Sequence, residues 1–461
     1  MKVMKFGGSC LANASNFLET IKFIGEQQGS IAIVLSAISG ITDLLLSGIS
    51  LALNNEKNVA SVIKAIRERH FEIANNAILS PIIFRELQEE MESRINKLER
   101  LLYGIAYTEE VTPSLKAMIL SYGERFCVHL FANVLRDKGI KAVALEADEI
   151  GIITDEYYEH ATAILDYTKE AIQERVMPMI KEGIIPVITG YFGKCKKGKI
   201  TTFGRNGTDY SAAVVAYALE ASTLEIWKDV DGFMSADPKI VVDAHLIEKL
   251  SYNEAAELSY FGAKILHPRT VEPLERVGIP IFIKNVRYKS EKGTIIQKDG
   301  YEYRDVIKSV TYNRNINVIK VKGPGVGCKP GIIAEIGGVL SRAGINIYSI
   351  ITSQTSINLL IDKQDAQKSS ELLRQIPERV IENISIIEDI ALVAVVGEGL
   401  LRRKGVAARV FSAVAQANVN VEMISSGASE VAYYFIVKQN DVESAIKAID
   451  KEFFANGDTI C

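Results

Sequence analysis

Residues Thr201–Ala212 (TTFGRNGTDYSA) gather side chains that handle anions. Gly204 and Gly207 bend the chain, Arg205 and Asp209 stand four residues apart, and Ala212, Ala213, Val214 and Val215 continue at helical spacing. A glycine loop that enters a helix offers free backbone N–H groups and the positive end of the helix dipole. Arg205 adds a planar fork of donors suited to a carboxylate or a phosphate. Asp209 adds a carboxylate in the first turn. The plainer alternative is a capped helix, with Thr208 or Asp209 as the cap.

Other stretches carry similar chemistry. Val3–Ser9 reads as a strand ending in a glycine turn, with Lys5, Gly7 and Gly8 at its end; it lacks the GxxxxGK[ST] pattern of a Walker A loop. Ile31–Ala37 is a continuous apolar run, as a buried parallel strand requires, and it ends in the hydroxyl-rich SAISGITD containing Thr42. Glu124 follows a glycine on the otherwise apolar helical stretch Pro113–Leu135, where it either faces a ligand amine or is solvated or paired with arginine. The loop Asp229–Lys239 (DVDGFMSADPK) carries Asp229, Met234 and Lys239; its aspartates either organise Mg²⁺ or ribose hydroxyls, or simply build turns. Lys264 sits in a glycine turn within Ser259–Arg269.

These loops need a frame. Lys141–Leu145, Ile184–Gly190, Thr223–Lys228 and Ile279–Asn285 read as further strands, with helices over Ala161–Lys181 and Tyr210–Leu219. Strands that alternate with helices predict a mostly parallel sheet, whose ligands lie at the carboxyl ends of the strands. Glu56 to Tyr107 is helical and charged, an excursion from the sheet in which His70 is a structural or surface histidine. Gly190–Thr202 reads as a hairpin or flap, and the polar stretch Glu291–Asp305 as a domain boundary.

Bulk properties narrow the classes. A length of 461 residues predicts two or three domains. Apolar residues at 48% and charged residues at 24% are ordinary for a globular protein, and a net charge of −4 argues against a dedicated nucleic-acid binder. Five scattered cysteines without metal-ligand spacing read as reduced thiols in a cytoplasmic protein, and no histidine pair is spaced for zinc, so no protein-held metal is expected. The first residues begin as a strand without the apolar core of a signal peptide, and no apolar run reaches the ~18 residues of a membrane span.

The last third repeats itself. Gly331 and Gly405 open matching helical stretches 74 residues apart, and Asn346 and Asn420 keep the same offset. Each copy reads as strand, glycine, helix, Asn-bearing strand, turn, strand and helix, which fits two tandem ferredoxin-like βαββαβ units.

With these motifs in order, the chain resembles the aspartate kinases of the amino-acid-kinase superfamily, with two C-terminal ACT domains. The resemblance rests on Lys5–Gly8 (KFGG), Ser36–Thr42 (SAISGIT), Tyr122–Glu124 (YGE), Thr201–Ala212, Glu225–Pro238, Tyr260–Pro268 (YFGAKILHP) and both repeats. It implies a three-layer αβα catalytic domain with a mainly parallel open sheet over residues 1–295. A regulatory region over 304–461 would follow, with one ACT module near 315–386 and the other near 388–461. It implies transfer of the ATP γ-phosphoryl group, with Mg²⁺, to the side-chain carboxylate of L-aspartate, the first step toward lysine, threonine and methionine. By the family pattern Lys5 and Asp209 are catalytic. Thr42, Glu124 and Arg205 hold the substrate, and Lys5, Gly7, Gly8, Lys228, Asp229, Met234, Lys239 and Lys264 hold the nucleotide.

Departures from the pattern are as informative. The first loop reads KFGGSC where KFGGTS is usual, so Cys10 gives up a good donor. Asp43 adds negative charge beside the site, and Asn206 replaces a common glycine, although asparagine tolerates positive φ. Met234 and Lys239 stand where tyrosine and arginine are frequent. The ACT pair implies an amino-acid effector bound around Val326, Lys329, Ile332, Ile333, Asn346, Tyr348 and Asn420. It also implies a homodimer or homotetramer assembled through these modules. Tyr348 stands where lysine-inhibited relatives often carry an acidic residue, so lysine, threonine and no effector all stay open. Two rival readings are a glutamate or acetylglutamate kinase of the same superfamily and a non-catalytic amino-acid sensor.

Overall fold

The structure is a computed structural model that describes residues 1–263, 265–287, 292–298, 306–376 and 381–454. Its contacts divide the chain into two units, 1–233 with 246–256 and 264–300, and 234–245 with 257–263 and 301–461.

The first unit is built on an eight-stranded sheet in the order Ala142–Leu145, Ile185–Thr189, Ile31–Leu35, Lys2–Phe6, Thr223–Lys228, Ile281–Asn285, Gly293–Gln297, Lys249–Ser251. All pairings are parallel except that of Ile281–Asn285 with Gly293–Gln297. The inner strands are apolar on both faces because helices cover both; Val3, Met4, Phe6 and all of Ile31–Leu35 are buried. Lys2–Phe6 lies at the centre, with Lys5 in register with Val34 on one side and Ile226 on the other. Parallel register sends the turns after these strands to one edge, and there the polar loops collect.

Pro113–Asp137 is the central helix, started by Pro113 and by the Thr112 hydroxyl, which accepts from the Leu115 N–H at 3.2 Å. The helical excursion consists of Lys57–Ala77 and Pro81–Thr108; Leu87, Met91, Ile95, Leu98 and Leu102 form the buried stripe of the second. His70 is buried against Phe126, with Nδ1 2.7 Å from the Ile66 carbonyl; burial lowers its pKa to about 4, as a structural histidine should behave. Gly190–Thr202 contains a hairpin, Phe192–Cys195 antiparallel to Ile200–Thr202. Within Glu291–Asp305, residues Gly293–Gln297 form a strand of the main sheet rather than a linker; residues 291 and 299–305 lie outside the described part of the chain. The neighbouring edge strand Lys249–Ser251 carries no apolar alternation long enough to reveal it. It leads into the helix Tyr252–Phe261, where Ser251 and Glu254 cap each other, Ser251 N–H on Glu254 Oε2 at 2.8 Å and Glu254 N–H on Ser251 Oγ at 3.2 Å.

The second unit holds two α/β modules whose helices Ile332–Arg342 and Val406–Gln416 begin 74 residues apart, at 332 and 406. One sheet is ordered Ser349–Thr352, Ser356–Asp362, Ile316–Lys322, Asn383–Ile387; the other is Ser309–Asn313, Ile390–Val396, Ala432–Lys438, Met423–Ser425. The second module is therefore not contiguous: Ser309–Asn313, upstream of the first module, pairs antiparallel with Ile390–Val396. Its Val310 joins the core of Val393, Val395 and Phe435, so the first module is inserted within the second. Asn346 and Asn420 fall just before their strands rather than in them. Two further segments pack with this unit, although they stand inside the stretch 1–295. Ser235 O accepts from Val310 N–H at 2.8 Å, and the ring of Tyr260 lies 5.2 Å from that of Tyr348.

Candidate active site

The loop Thr201–Ala212 bends into the helix Gly207–Ala218 with Asn206 at its N-cap, φ 62°, and no side chain capping the helix. The alternative, a cap by Thr208 or Asp209, is not formed; Asp209 turns inward. Its carboxylate is 1% exposed and takes Lys5 Nζ at 2.6 Å on Oδ1 and Lys228 Nζ at 2.9 Å on Oδ2, with the His267 N–H also donating to Oδ2 at 3.3 Å. Burial alone raises an acid, but the two ammonium groups outweigh it and hold Asp209 well below the ordinary carboxylate range. Burial pulls Lys228 down, against the attraction of Asp209. Lys5 and Lys228 end adjacent parallel strands, which is why residues so far apart in the chain converge.

The glycine turn after Lys5 lies close to its neighbours. A Cβ on Gly8 would stand 3.0 Å from the Ala37 carbonyl and 3.3 Å from the Ser39 nitrogen, so only glycine lets this turn approach the loop after Ile31–Leu35. Gly7 N–H donates to the Trp227 carbonyl at 3.4 Å, and Cys10 Sγ reaches the same carbonyl at 3.4 Å. Cys10 therefore still closes the loop as a weak donor, and burial pushes its thiol up, keeping it protonated against the pull of Lys5.

Glu124 is neither solvated nor paired with arginine. It is 3% exposed; Oε1 accepts from the Ala37 N–H at 3.0 Å, and Oε2 is buried without a partner among the described residues. Burial raises its pKa to about 8, only partly offset by the Ala37 bond and the charge of Lys5. Burial therefore keeps this acid protonated at neutral pH, with Oε2 left unsatisfied among the described residues. Thr42 is half-buried in the first turn of Ile41–Asn54, and Asp43 beside it is exposed. Arg205 is exposed, and among the described residues its guanidinium has no ionic partner.

The nucleotide candidates divide. Lys5, Gly7, Gly8, Lys228 and Asp229 belong to the first unit, with Asp229 exposed; Met234 and Lys239 belong to the second, and Lys264 lies outside the described residues. Among the effector candidates, Val326 and Ile332 are buried, while Lys329, Ile333, Asn346 and Asn420 are exposed. The stretch containing Val326 does meet the one containing Tyr348: Gly327 N–H donates to the Gln354 carbonyl at 3.2 Å. The Tyr348 hydroxyl donates to the Asp362 carboxylate at 3.3 Å.

Several neighbours escaped the sequence reading. Tyr191, φ 72°, sits after Ile185–Thr189, and burial followed by the charge of Glu124 pushes its phenol up. Glu146 follows Ala142–Leu145, and its position at a strand's carboxyl end was the available signal. His267 reaches Asp209 through a backbone N–H, which no side-chain pattern reveals.

Fold and site together define a phosphotransferase-type α/β domain followed in the chain by a pair of ferredoxin-like modules. Residues 1–285 match the amino acid kinase family, and 311–375 and 393–453 each match an ACT domain. Aspartokinase 1 of Arabidopsis thaliana chloroplasts is 32% identical over 469 residues, covering 99% of this chain and 80% of its own. The bifunctional aspartokinase/homoserine dehydrogenase of Buchnera aphidicola is 30% identical over the whole chain, which spans 57% of that relative's length. E. coli aspartokinase III in complex with aspartate and ADP superposes with a TM-score of 0.86 at 28% identity, covering 98% of this chain and 100% of that one. The same enzyme in complex with lysine and aspartate gives 0.80, also at 28% identity and 98% coverage of this chain. The chain belongs to the aspartokinases of the amino acid kinase family.

Proposed function

We propose that this chain transfers the γ-phosphoryl group of ATP to the side-chain carboxylate of L-aspartate, giving 4-phospho-L-aspartate and ADP. The observation that carries this reading is Asp209 gripping Lys5 and Lys228 beside the half-satisfied Glu124. A carboxylate oxygen is already a nucleophile, so no strong base is needed; it attacks the γ-phosphorus as the bond to the bridging oxygen breaks toward ADP. Catalysis is then positioning and charge stabilisation. Two ammonium groups against one carboxylate leave a positive surplus at the turn Gly7–Gly8, where phosphate charge would be met. Lys5 would stabilise the moving phosphoryl group, and Asp209 would hold Lys5 in place. Glu124 would take the substrate ammonium, Arg205 its α-carboxylate, and Thr42 a further hydrogen bond. Lys228, Asp229, Met234, Lys239 and Lys264 would serve the nucleotide. Mg²⁺, held mainly by the phosphates, would neutralise their charge.

The ACT modules would couple this step to an amino-acid end product, lysine or threonine, and pair copies of the chain into a dimer or tetramer. The free thiols of Cys10, Cys127 and Cys195 suit a reducing compartment such as the cytoplasm. Among the described residues no helix is long and apolar enough to cross a membrane. ATP consumption with aspartate, glutamate and N-acetylglutamate tests the assignment. Turnover is expected with aspartate; none with aspartate overturns it.

A further inference from the structure

Three consecutive residues of the helix Pro113–Asp137 divide their contacts: Gly123 and Glu124 meet one loop, and Arg125 meets two other segments. Gly123 packs on the loop after Ile31–Leu35, where a Cβ on it would come within 2.8 Å of the Ala37 Cβ. Glu124 accepts from the Ala37 N–H of the same loop at 3.0 Å. Arg125, turned about 100° further round the helix, reaches elsewhere. Its Nε donates to Ser121 Oγ at 3.0 Å, its Nη2 lies 3.1 Å from Asp148 Oδ2, and its Nη1 contacts Glu146 Oε2. The guanidinium also stands 4.7 Å over the Phe192 ring. Glu146 follows the strand Ala142–Leu145, and Phe192 lies just past the strand Ile185–Thr189. Arg125 therefore ties the helix to the loops after two more strands, and the Ala147 N–H joins those loops by donating to Thr189 Oγ1 at 2.8 Å.

Glu146 is the hub. Its side chain is 6% exposed and also takes Arg94 Nη2 at 2.9 Å, with His129 Nε2 2.9 Å away. His129 Nε2 also lies 2.6 Å from Arg94 Nη2, and its Nδ1 faces Glu90 Oε1 at 2.9 Å. Burial lowers the pKa of His129. Buried ion pairs contribute little net stability compared with apolar packing. What this network does supply is a fixed distance between the helix and the loop edge, one residue from Glu124.

We propose that Arg125, held by Glu146, is a positioning residue that sets the depth of Glu124 in the amino-acid pocket. The proposal rests on Glu124 as the group that receives the substrate ammonium. Replacing the fork of Arg125 by lysine keeps the charge and loses the planar, multi-point grip. A shift of Glu124 by a fraction of an ångström then weakens the ammonium contact and leaves the phosphoryl side untouched.

The test compares R125K and E124Q with the unmodified chain. For R125K, KM for L-aspartate is expected to rise about tenfold while kcat and KM for ATP stay within about twofold. Competitive inhibition by succinate, which keeps both carboxylates and lacks the amino group, should not change. A rise in all these constants together, or no rise for aspartate, overturns the positioning role. E124Q tests the underlying reading by itself: unchanged KM for aspartate there removes the ammonium role of Glu124, and the proposal with it. Should R125K fail to fold, D148N removes one charge from the more open end of the fork. It should show the same selective rise at about threefold, and its absence overturns the proposal.

Discussion

Asp209 gives one carboxylate oxygen to each of two ammonium groups, Lys5 Nζ at 2.6 Å and Lys228 Nζ at 2.9 Å. All three side chains are largely shielded from water, so removing the central carboxylate leaves two buried charges uncompensated and is costly. Asp209→Asn keeps the shape and removes the charge. Urea unfolding should show a loss of ~3 kcal/mol, since two buried ammonium groups lose their counter-charge. In protein that remains folded, kcat should fall at least about a hundredfold. An unchanged kcat would remove Asp209 and its hold on Lys5 from the mechanism.

The same pair sets a response to acid. Asp209 is depressed in the folded chain, against about 3.9 when unfolded. Above about pH 5 both states are ionised and the stabilisation is complete. Below it the unfolded chain takes up the proton first, and stability falls. Unfolding free energies measured from pH 5 down to pH 2.5 should decline more steeply for the unmodified chain than for D209N. Parallel declines would contradict the depressed carboxyl.

Glu124 has the opposite sign. Its pKa of about 8 stands above the ~4.3 of an unfolded glutamate, so the native state binds a proton that the unfolded state lacks between these values. Stability is complete below the lower value and declines as pH rises through the upper one. Glu124→Gln escapes this cost, so E124Q should gain stability relative to the unmodified chain from pH 5 to pH 7.5, by ~3 kcal/mol at most. It should meanwhile lose affinity for aspartate by about tenfold or more. Chemical denaturation at both pH values, with KM measured on the same preparations, checks the trade; equal stability at both would mean that Glu124 is ionised normally.

Gly8 tests the close approach of two loops. With a Cβ 3.0 Å from the Ala37 carbonyl, Gly8→Ala forces the turn after Lys5 and the loop bearing Ala37 apart by a few tenths of an ångström. Stability should drop by ~1 kcal/mol, while kcat/KM should drop about tenfold, because Lys5 and Glu124 flank the displaced segment. Steady-state kinetics beside a thermal melt separates the two. A melt-only effect would show that the loops need not touch for activity.

Much of the frame was legible from local pattern. Runs such as IAIVL, short and rich in β-branched residues, read as buried strands, and helical spacing marks the helices without reference to partners. The loops rich in glycine, hydroxyl and charge pointed to the carboxyl edge of the sheet, and the repeat at an offset of 74 residues exposed the paired modules. Tertiary structure alone decided which groups meet. Asp209 stands 204 positions beyond Lys5 in the chain and looks, locally, like a helix cap. Only the parallel register of Lys2–Phe6 with Thr223–Lys228 delivers two ammonium groups to it. Burial is likewise a property of the whole fold, and it leaves Glu124 half satisfied where the sequence allowed solvent or arginine. The exchange of Ser309–Asn313 into the second module shows the same limit: a strand's alternation says which face is apolar, while the choice of partner depends on how much apolar surface each available edge can cover.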